Sequence, residues 1–435
     1  MKLQDDRPSE YWDTLRSTAV QNATGSNGAR YLDSSNAKLL DWLGVPPSSS
    51  GVMVTPETAM RVAAVYACVS RIAGGISSLP LNIYERTWDA DRREYQKRQV
   101  ENAPLWWLLN EQPTASYSGA AHWESRVAYM LLRGDGFTLI RRNAAGQPVE
   151  LVPFPWEAIE PMRLNPLEIG SRLIYSVNDG LSIKGVDQDD MLHFPGFGFN
   201  GIRSRSVISH AARNAAGNAL AMDEYSGAFF QGGAHSSVVL ETDKKMNDDQ
   251  IEQLQRQFRT RYSGLQNAHR FPMVLTEGMK AESISINAVD AQLLDARRFQ
   301  VTDIARAFGV PPHLIGETSG STSWGSGIDS MGRAFVQYTL EHHLGRIEQE
   351  LNRKLFRTVR YFVEFDRSSL MEGDLVAQSK FYRAAMGGPG IGKGWMSANE
   401  VRKRHNLPPE DGQDTIFDPT PPAKASNPPK QGANA

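Results

Sequence analysis

The chain reads as an α+β protein, with helices and short strands mixed in its first half and mostly helix in its second. Three observations carry that expectation. Short β-rich runs such as "FTLIRR" and "VELVPF" flank the turn residues "NAAGQ". Apolar residues then recur at spacings of three and four along several long segments after residue 200. Finally, 435 residues with 40% hydrophobic content can bury a sizeable core, divided among roughly two or three domains.

Taken in order, residues 1–54 are expected to be disordered, because stretches such as "QNATGSNGAR" and "VPPSSSG" offer little to a core. Order is expected from residue 55. Thr55 can cap a helix, Pro56 suits its first turn, and Met60, Ala64, Ala67 or Cys68 and Ile72 follow at helical spacing until Gly74 and Gly75 loosen the backbone. Pro80 opens an extended segment with Leu81 and Ile83 on one face. A helix over Gly119 to Arg133, the hairpin and the strands "LIYSV" and "MLHFPGF" complete an α+β region ending near Asn200.

The second half is read as four long helices. "RSVISHAARNAAGNALAMDEYSGAFFQGGA" is one helix stopped by Gly232 and Gly233. Asn247 caps the next, with Gln250 three residues on, and Ile251, Leu254, Phe258 and Tyr262 form a narrow apolar stripe. Arg256, Arg259 and Arg261 lie on its exposed side, where a solvated face is the ordinary reading. After the extended "RFPMVLTEGMKAESISI", the helix "DAQLLDARRFQVTDIARAFG" ends at Gly309 before Pro311-Pro312. The last, residues 327–356, carries Ile328, Met331, Phe335, Tyr338, Leu344, Ile347, Leu351 and Leu355 at helical spacing and spans roughly 40 Å. Beyond it, "DLVAQSKFYRAAM" is helical, a flexible connector follows, and Ser397 with Glu400 forms a capping box for another helix. Residues 414–435 form a Pro- and Asn-rich disordered tail.

Composition and motifs exclude several functions. Lys plus Arg number 47 against 49 Asp plus Glu, so no global basic field draws the chain to nucleic acid or membrane. One cysteine, Cys68, permits no intrachain disulfide and points to synthesis in a reducing cytoplasm. No run of about 18 apolar residues exists, and "MKLQDDRPSE" lacks the apolar middle of a secretory signal. The stretch "GGPGIGKGW" comes close to a phosphate-binding loop, since Gly387, Gly392 and Lys393 fit; Gly394 then stands where a Ser or Thr hydroxyl must ligate magnesium. A helix precedes it where a strand should. The histidines are scattered, with His342 and His343 adjacent and so facing different sides. "VDQDDM" lacks the glycine and distal glutamate of a calcium loop and reads as a solvated turn before a strand. No catalytic, cofactor-binding or metal-ligating residue is singled out.

The order of five segments is more telling. "TAMRVAAVYACVSRIAGGISSLPLNIYER", "PLWWLLNEQP", "FFQGGAHSSVVLE", "DAQLLDARRFQVTDIARAFGVPPHLIGE" and "WGSGIDSMGRAFVQYTLEHHLGRIEQELNRKL" together resemble the portal proteins of tailed bacteriophages, in the siphovirus and prophage branch. The resemblance covers residues 50 to 410. It implies a portal-type fold: an α+β wing over 55–245, stem helices with an intervening clip over 246–310, and a tunnel loop over 311–328. A long helix returning to the wing over 329–370 and a helical crown over 371–413 complete that plan.

It implies further that about twelve copies form a ring, a dodecamer, at one capsid vertex of the virion, assembled in the bacterial cytoplasm. Double-stranded DNA would pass through its channel during packaging and ejection. Its partners would be the large terminase subunit, which hydrolyses ATP, the major capsid protein or scaffold, and a head-tail connector; no cofactor or membrane is implied. The resemblance places Ser319, Gly320, Ser321, Thr322, Ser323, Trp324 and Gly325 in the tunnel loop, and Arg256, Arg259, Arg261, Tyr262 and Arg270 at the clip, toward terminase or a neighbouring subunit. Many relatives have a Tyr-Ser-Asn type sequence near that loop, where this chain has Ser323-Trp324-Gly325. The physical reading agrees, because a channel must hold DNA without gripping one sequence, and a loop of Gly, Ser and Thr touches backbone without trapping it. Two other classes stay open: a nucleic-acid-binding adaptor, which binds free DNA with steep salt dependence, and an enzyme built on an unrecognised carboxylate pair.

Overall fold

The computed structural model describes residues 48–89, 93–100, 103–165, 167–168, 170–178, 180, 182–231, 238–241, 247–249, 251–253, 256, 280–283, 287–318, 326–356, 358–368, 375–405 and 407–419. They divide at Asp366 and Arg367 into two units.

The first unit is already packed before residue 55. Ser48 is buried and donates from Oγ to the Val52 carbonyl at 2.7 Å, while Ser49 N–H donates to Asn214 Oδ1 at 3.1 Å. This close approach needs Gly217, where an added Cβ would meet Ser48 Cβ at 2.3 Å. The expected disorder of 1–54 therefore does not extend to 48–54.

The expected first helix is two. α1 (Pro56–Ala59) is closed by a Thr55–Thr58 capping box, and α2 (Ala63–Ser77) starts afresh after Val62. Gly74 and Gly75 stay inside α2, because its buried stripe of Val65, Cys68, Val69, Ile72 and Ile76 holds the helix through them. Burial pushes the Cys68 thiol up to about 12, so it is an inert core group.

Strands β1 (Leu81–Asp89) and β2 (Glu94–Gln99) pair antiparallel, and α3 (Pro104–Asn110) follows. The Asn110 amide brackets β1, accepting from Leu81 N–H at 2.7 Å and donating to its carbonyl at 3.0 Å. α4 (Gly119–Arg133) has the expected bounds, capped by Ser118. It buries Arg126, which donates to the Phe137 and Phe154 carbonyls, so helix and hairpin are tied through backbone acceptors.

The hairpin is β3 (Asp135–Arg142) with β4 (Pro148–Phe154); β5 (Ile159–Arg163), β6 (Leu173–Asn178), β7 (Ile183–Asp187) and β8 (Met191–Pro195) follow. They form two three-stranded sheets of order β4-β3-β8 and β5-β6-β7. Phe137, Ala158, Ile159, Tyr175, Val177 and Met191 pack as one core cluster drawn from both. β5 and β7 went unread because "IEPMR" and "IKGVD" show no clean alternation.

The next expected helix is also broken, into α5 (Val207–His210) and α6 (Arg213–Gln231), with Ala212 buried at the break. β9 (Val238–Glu241) pairs antiparallel with β10 (Lys280–Ser283), which leads into α7 (Asn287–Phe308). Gly309, at φ +70°, ends α7 as expected.

The long helix runs as α8 (Ser326–Phe335), a π turn (Val336–Leu340) and α9 (Glu341–Leu355). Thr339 Oγ1 donates to the Gly309 carbonyl at 2.5 Å at that turn, and α9 buries Leu344, Ile347 and Leu351. β11 (Tyr361–Phe365) then pairs antiparallel with β1, giving the sheet order β11-β1-β2.

In the second unit, α10 (Leu375–Met386) and α11 (Ala398–Arg404) lie on either side of the glycine-rich connector. The Ser397–Glu400 capping box forms as expected. The connector, expected to be flexible, is held by a Gly388–Gly392 bridge, a Lys393–Asp418 ion pair at 2.8 Å and Trp395 N–H donating to the Ala385 carbonyl at 2.8 Å. Lys393 is thus occupied by a carboxylate rather than free for phosphate.

Candidate functional site

Of the residues expected to carry function, Ser319, Gly320, Ser321, Thr322, Ser323, Trp324, Gly325, Arg259, Arg261, Tyr262 and Arg270 lie outside the described residues. Arg256 is described. It is exposed and pairs with Glu252 at 2.6 Å, one turn away, which is the solvated-face geometry. Ile251, expected in the apolar stripe, is itself exposed.

The elements that carry those segments are clear. α6 and α7 pack together, with Arg297 donating to Asp223, and β9 pairs with β10 just beyond them. The chain therefore leaves along α6 and β9 and returns along β10 and α7, and residues 242–279 join the paired strands in sequence. Among the described residues α7 packs on α6 and on α2, and most of the 247–262 segment expected as a stem helix lies outside them. Residues 319–325 join the turn Pro312–Ile315 after α7 to the start of α8. Tyr225 on α6, Phe299 on α7 and Tyr338 in the π turn are all exposed, so these helices present aromatic rings to solvent.

A buried ionic clamp fixes the far end of the long helix to the sheets. Asp135, fully buried, accepts from His193 Nε2 at 3.0 Å and from Ser204 N–H at 3.0 Å, and Arg203 stands 3.9 Å away. Burial pushes the Tyr175 hydroxyl well above its usual range, so it keeps its proton and donates to His193 Nδ1 at 3.1 Å. His193 N–H in turn donates to Glu350 Oε1 of α9 at 3.1 Å. Four residues on, Lys354 donates to the Gln188 carbonyl, and the Lys354 carbonyl accepts from Arg142 at 3.0 Å.

The acidic "VDQDDM" turn belongs to this clamp and is not simply solvated. Arg172 holds Asp187 at 2.6 Å and Asp189 at 2.8 Å, while Arg142 holds Asp190 at 3.0 Å, and the Asp187 side chain is buried. Each charge is paired, as burial requires. Sequence reasoning missed Asp135, His193 and Glu350 because they stand 58 and 157 positions apart along the pairs they form. The Tyr-His-Asp chain ends on backbone and arginine partners, so its chemistry is positional.

Among the described residues no group of His, Cys, Asp or Glu could hold a metal ion, and no helix is long and apolar enough to cross a membrane.

Comparison with known proteins supplies the family. The family model described as "Phage portal protein" matches residues 63–406. The chain is similar to the portal protein of Enterobacteria phage HK97, 30% identical over 380 residues that cover 86% of each chain. It is also similar to the probable portal protein of Streptomyces phage phiC31, 32% identical over 389 residues covering 83% of this chain and 78% of the relative. A solved structure described as the neck of a native GTA particle computed with C12 symmetry matches the fold with a TM-score of 0.54 at 21% identity, covering 92% of this chain and all of that one. With most of its length matched by the model and by a relative at this identity, the chain belongs to the phage portal protein family.

Proposed function

We propose that copies of this chain close into a ring at one capsid vertex, around a channel through which double-stranded DNA enters during packaging and leaves during ejection. The observation that carries this reading is the pair α6 and α7 with its exposed Tyr225 and Phe299, together with the exposed Tyr338 of the long helix. Aromatic side chains left on the outside of paired helices lose their contact with water when identical subunits meet around a closed axis. In this reading the sheets and the returning β11 form the wing, and α6 with α7 forms the stem. Residues 242–279 form the clip, 311–328 the tunnel loop and 371–413 the crown. Taking α6 as a stem helix moves the stem one helix toward the N-terminus of the sequence expectation, in keeping with its packing on α7, which α2 shares.

The ring is a passive conduit, and ATP hydrolysis belongs to a large terminase subunit docking at the clip, where Arg256, Arg259, Arg261 and Arg270 offer cations to acidic partners. A connector and the capsid or its scaffold meet the other faces.

Native mass spectrometry of the purified chain, with negative-stain class averages, tests the ring directly. A closed assembly with a central hole wide enough for a duplex is expected. A clean monomer at micromolar concentration, binding free DNA with a steep salt dependence, would replace the ring by the adaptor reading.

A further inference from the structure

The hairpin β1–β2 carries a surface that the ring reading does not use. β2 is the edge strand of the order β11-β1-β2, so one side of its backbone is unpaired within the sheet. The register sets Arg86 opposite Lys97 and Trp88 opposite Tyr95, which places all four on one face. Trp88 is 55% and Tyr95 67% exposed, with their rings edge to face at 4.8 Å between centroids. Further along the same face, Arg86 lies 5.1 Å over the Phe362 ring and Lys97 4.8 Å over Tyr84.

Exposed Trp, Tyr and Arg are the residue types that dominate binding energy at protein interfaces. An open edge beside them suits the addition of a strand. Lys97 lies 2.6 Å from Glu364 but keeps 57% of its side chain exposed, so a second carboxylate brought by an added strand can share it.

The strand that would fit has an aromatic residue opposite Tyr95 and, two positions away, an acid opposite Lys97. The chain contains one. In "SEYWD", residues 9–13, an antiparallel register with Trp12 against Tyr95 sets Glu10 against Lys97 and Ser9 against Arg98. The 34 residues from 14 to 47 separate this stretch from Ser48, where the first unit holds the chain. At about 3.3 Å each they reach across any distance on a subunit of this size. We propose that the N-terminal segment around Glu10 to Asp13 adds to β2 as a fourth, antiparallel strand, with Trp12 on the Trp88–Tyr95 pair and Glu10 on Lys97.

The test uses the full chain with p-benzoylphenylalanine in place of Tyr95, irradiated and digested for mass spectrometry. A covalent link to the peptide containing residues 8–16 is expected. Links only to other segments, to another protein, or to nothing overturn the proposal. Lys97→Glu should lower the yield of that link about fivefold, and Glu10→Lys in the same chain should restore it. A link that survives Lys97→Glu undiminished, or is not restored, overturns the register. Mixing isotopically heavy and light copies shows whether the strand comes from the same chain or from a neighbour, and either supports the docking.

Discussion

The sheets of the first unit and its paired helices α6 and α7 treat charge and apolar surface in opposite ways. In the sheets and the helix α9 packed on them, Asp135, His193, Glu350 and Lys354 are buried and partnered, and the apolar cluster around Phe137 and Tyr175 is closed. On α6 and α7 the charges sit outside, as in the Arg297–Asp223 pair, and so do the rings of Tyr225 and Phe299. The buried core of the first region closes within one chain, while its edge hairpin leaves Trp88 and Tyr95 exposed. The second leaves apolar rings at its surface, which is how a subunit of a larger assembly would leave surface for its neighbours.

Breaking the frame should have the largest effect. Asp135→Ala leaves His193, the Ser204 N–H and Arg203 without their shared acceptor, and a loss of about 3 to 5 kcal/mol is expected in urea unfolding of the subunit. A loss below about 1 kcal/mol would mean that the clamp holds nothing in place.

Acid should separate the regions next. His122, on α4, is buried against β3, and burial, reinforced by Arg126, lowers it to about 3 from an ordinary 6.5. Its folded value lies below its unfolded one, so the stability it contributes is present above about pH 6.5 and lost as pH falls toward 3. Replacing it, His122→Gln, should flatten the acid limb of a stability-against-pH curve; an unchanged slope removes His122 as its cause.

A smaller effect belongs to the junction between the regions. Thr339→Val removes the hydrogen bond to the Gly309 carbonyl that seats the π turn on the end of α7, and should cost about 1 kcal/mol by the same unfolding assay. Full stability in this variant would show the turn to be held by Val336 and Leu340 packing alone.

Least affected should be the paired helices as a fold. Arg297→Ala breaks an exposed ion pair and is expected to change subunit stability by less than about 0.5 kcal/mol. Phe299→Ser, equally mild for the isolated subunit, should reduce ring yield in native mass spectrometry. A ring formed at full yield would take that face out of the subunit contact.

How far the sequence could be read follows the same division. Helix α4 has its expected ends because Ser118 and Arg133 lie beside their own signals, and the hairpin and the Ser397–Glu400 box are equally local. The breaks after Ala59 and His210 were not visible, since the apolar spacing continues through both. Gly74 and Gly75 misled for the converse reason: a local breaker signal was outweighed by packing on α4 and beside Leu340, whose Cδ1 would stand 3.6 Å from a Cβ added at Gly75. Of the expected functional residues only Arg256 can be placed, and the ionic clamp had no motif at all.

By itself the sequence determined the helix caps, the turns, the lack of a nucleotide loop and the order of segments that marks the portal family, because each is a property of residues within a few positions or of their succession. Tertiary structure alone decided which strands became neighbours, where the long helices broke, and that Asp135, His193 and Glu350 would share one buried network. Such contacts join residues far apart in the chain, and their free energy exists only once the fold has removed the water between them.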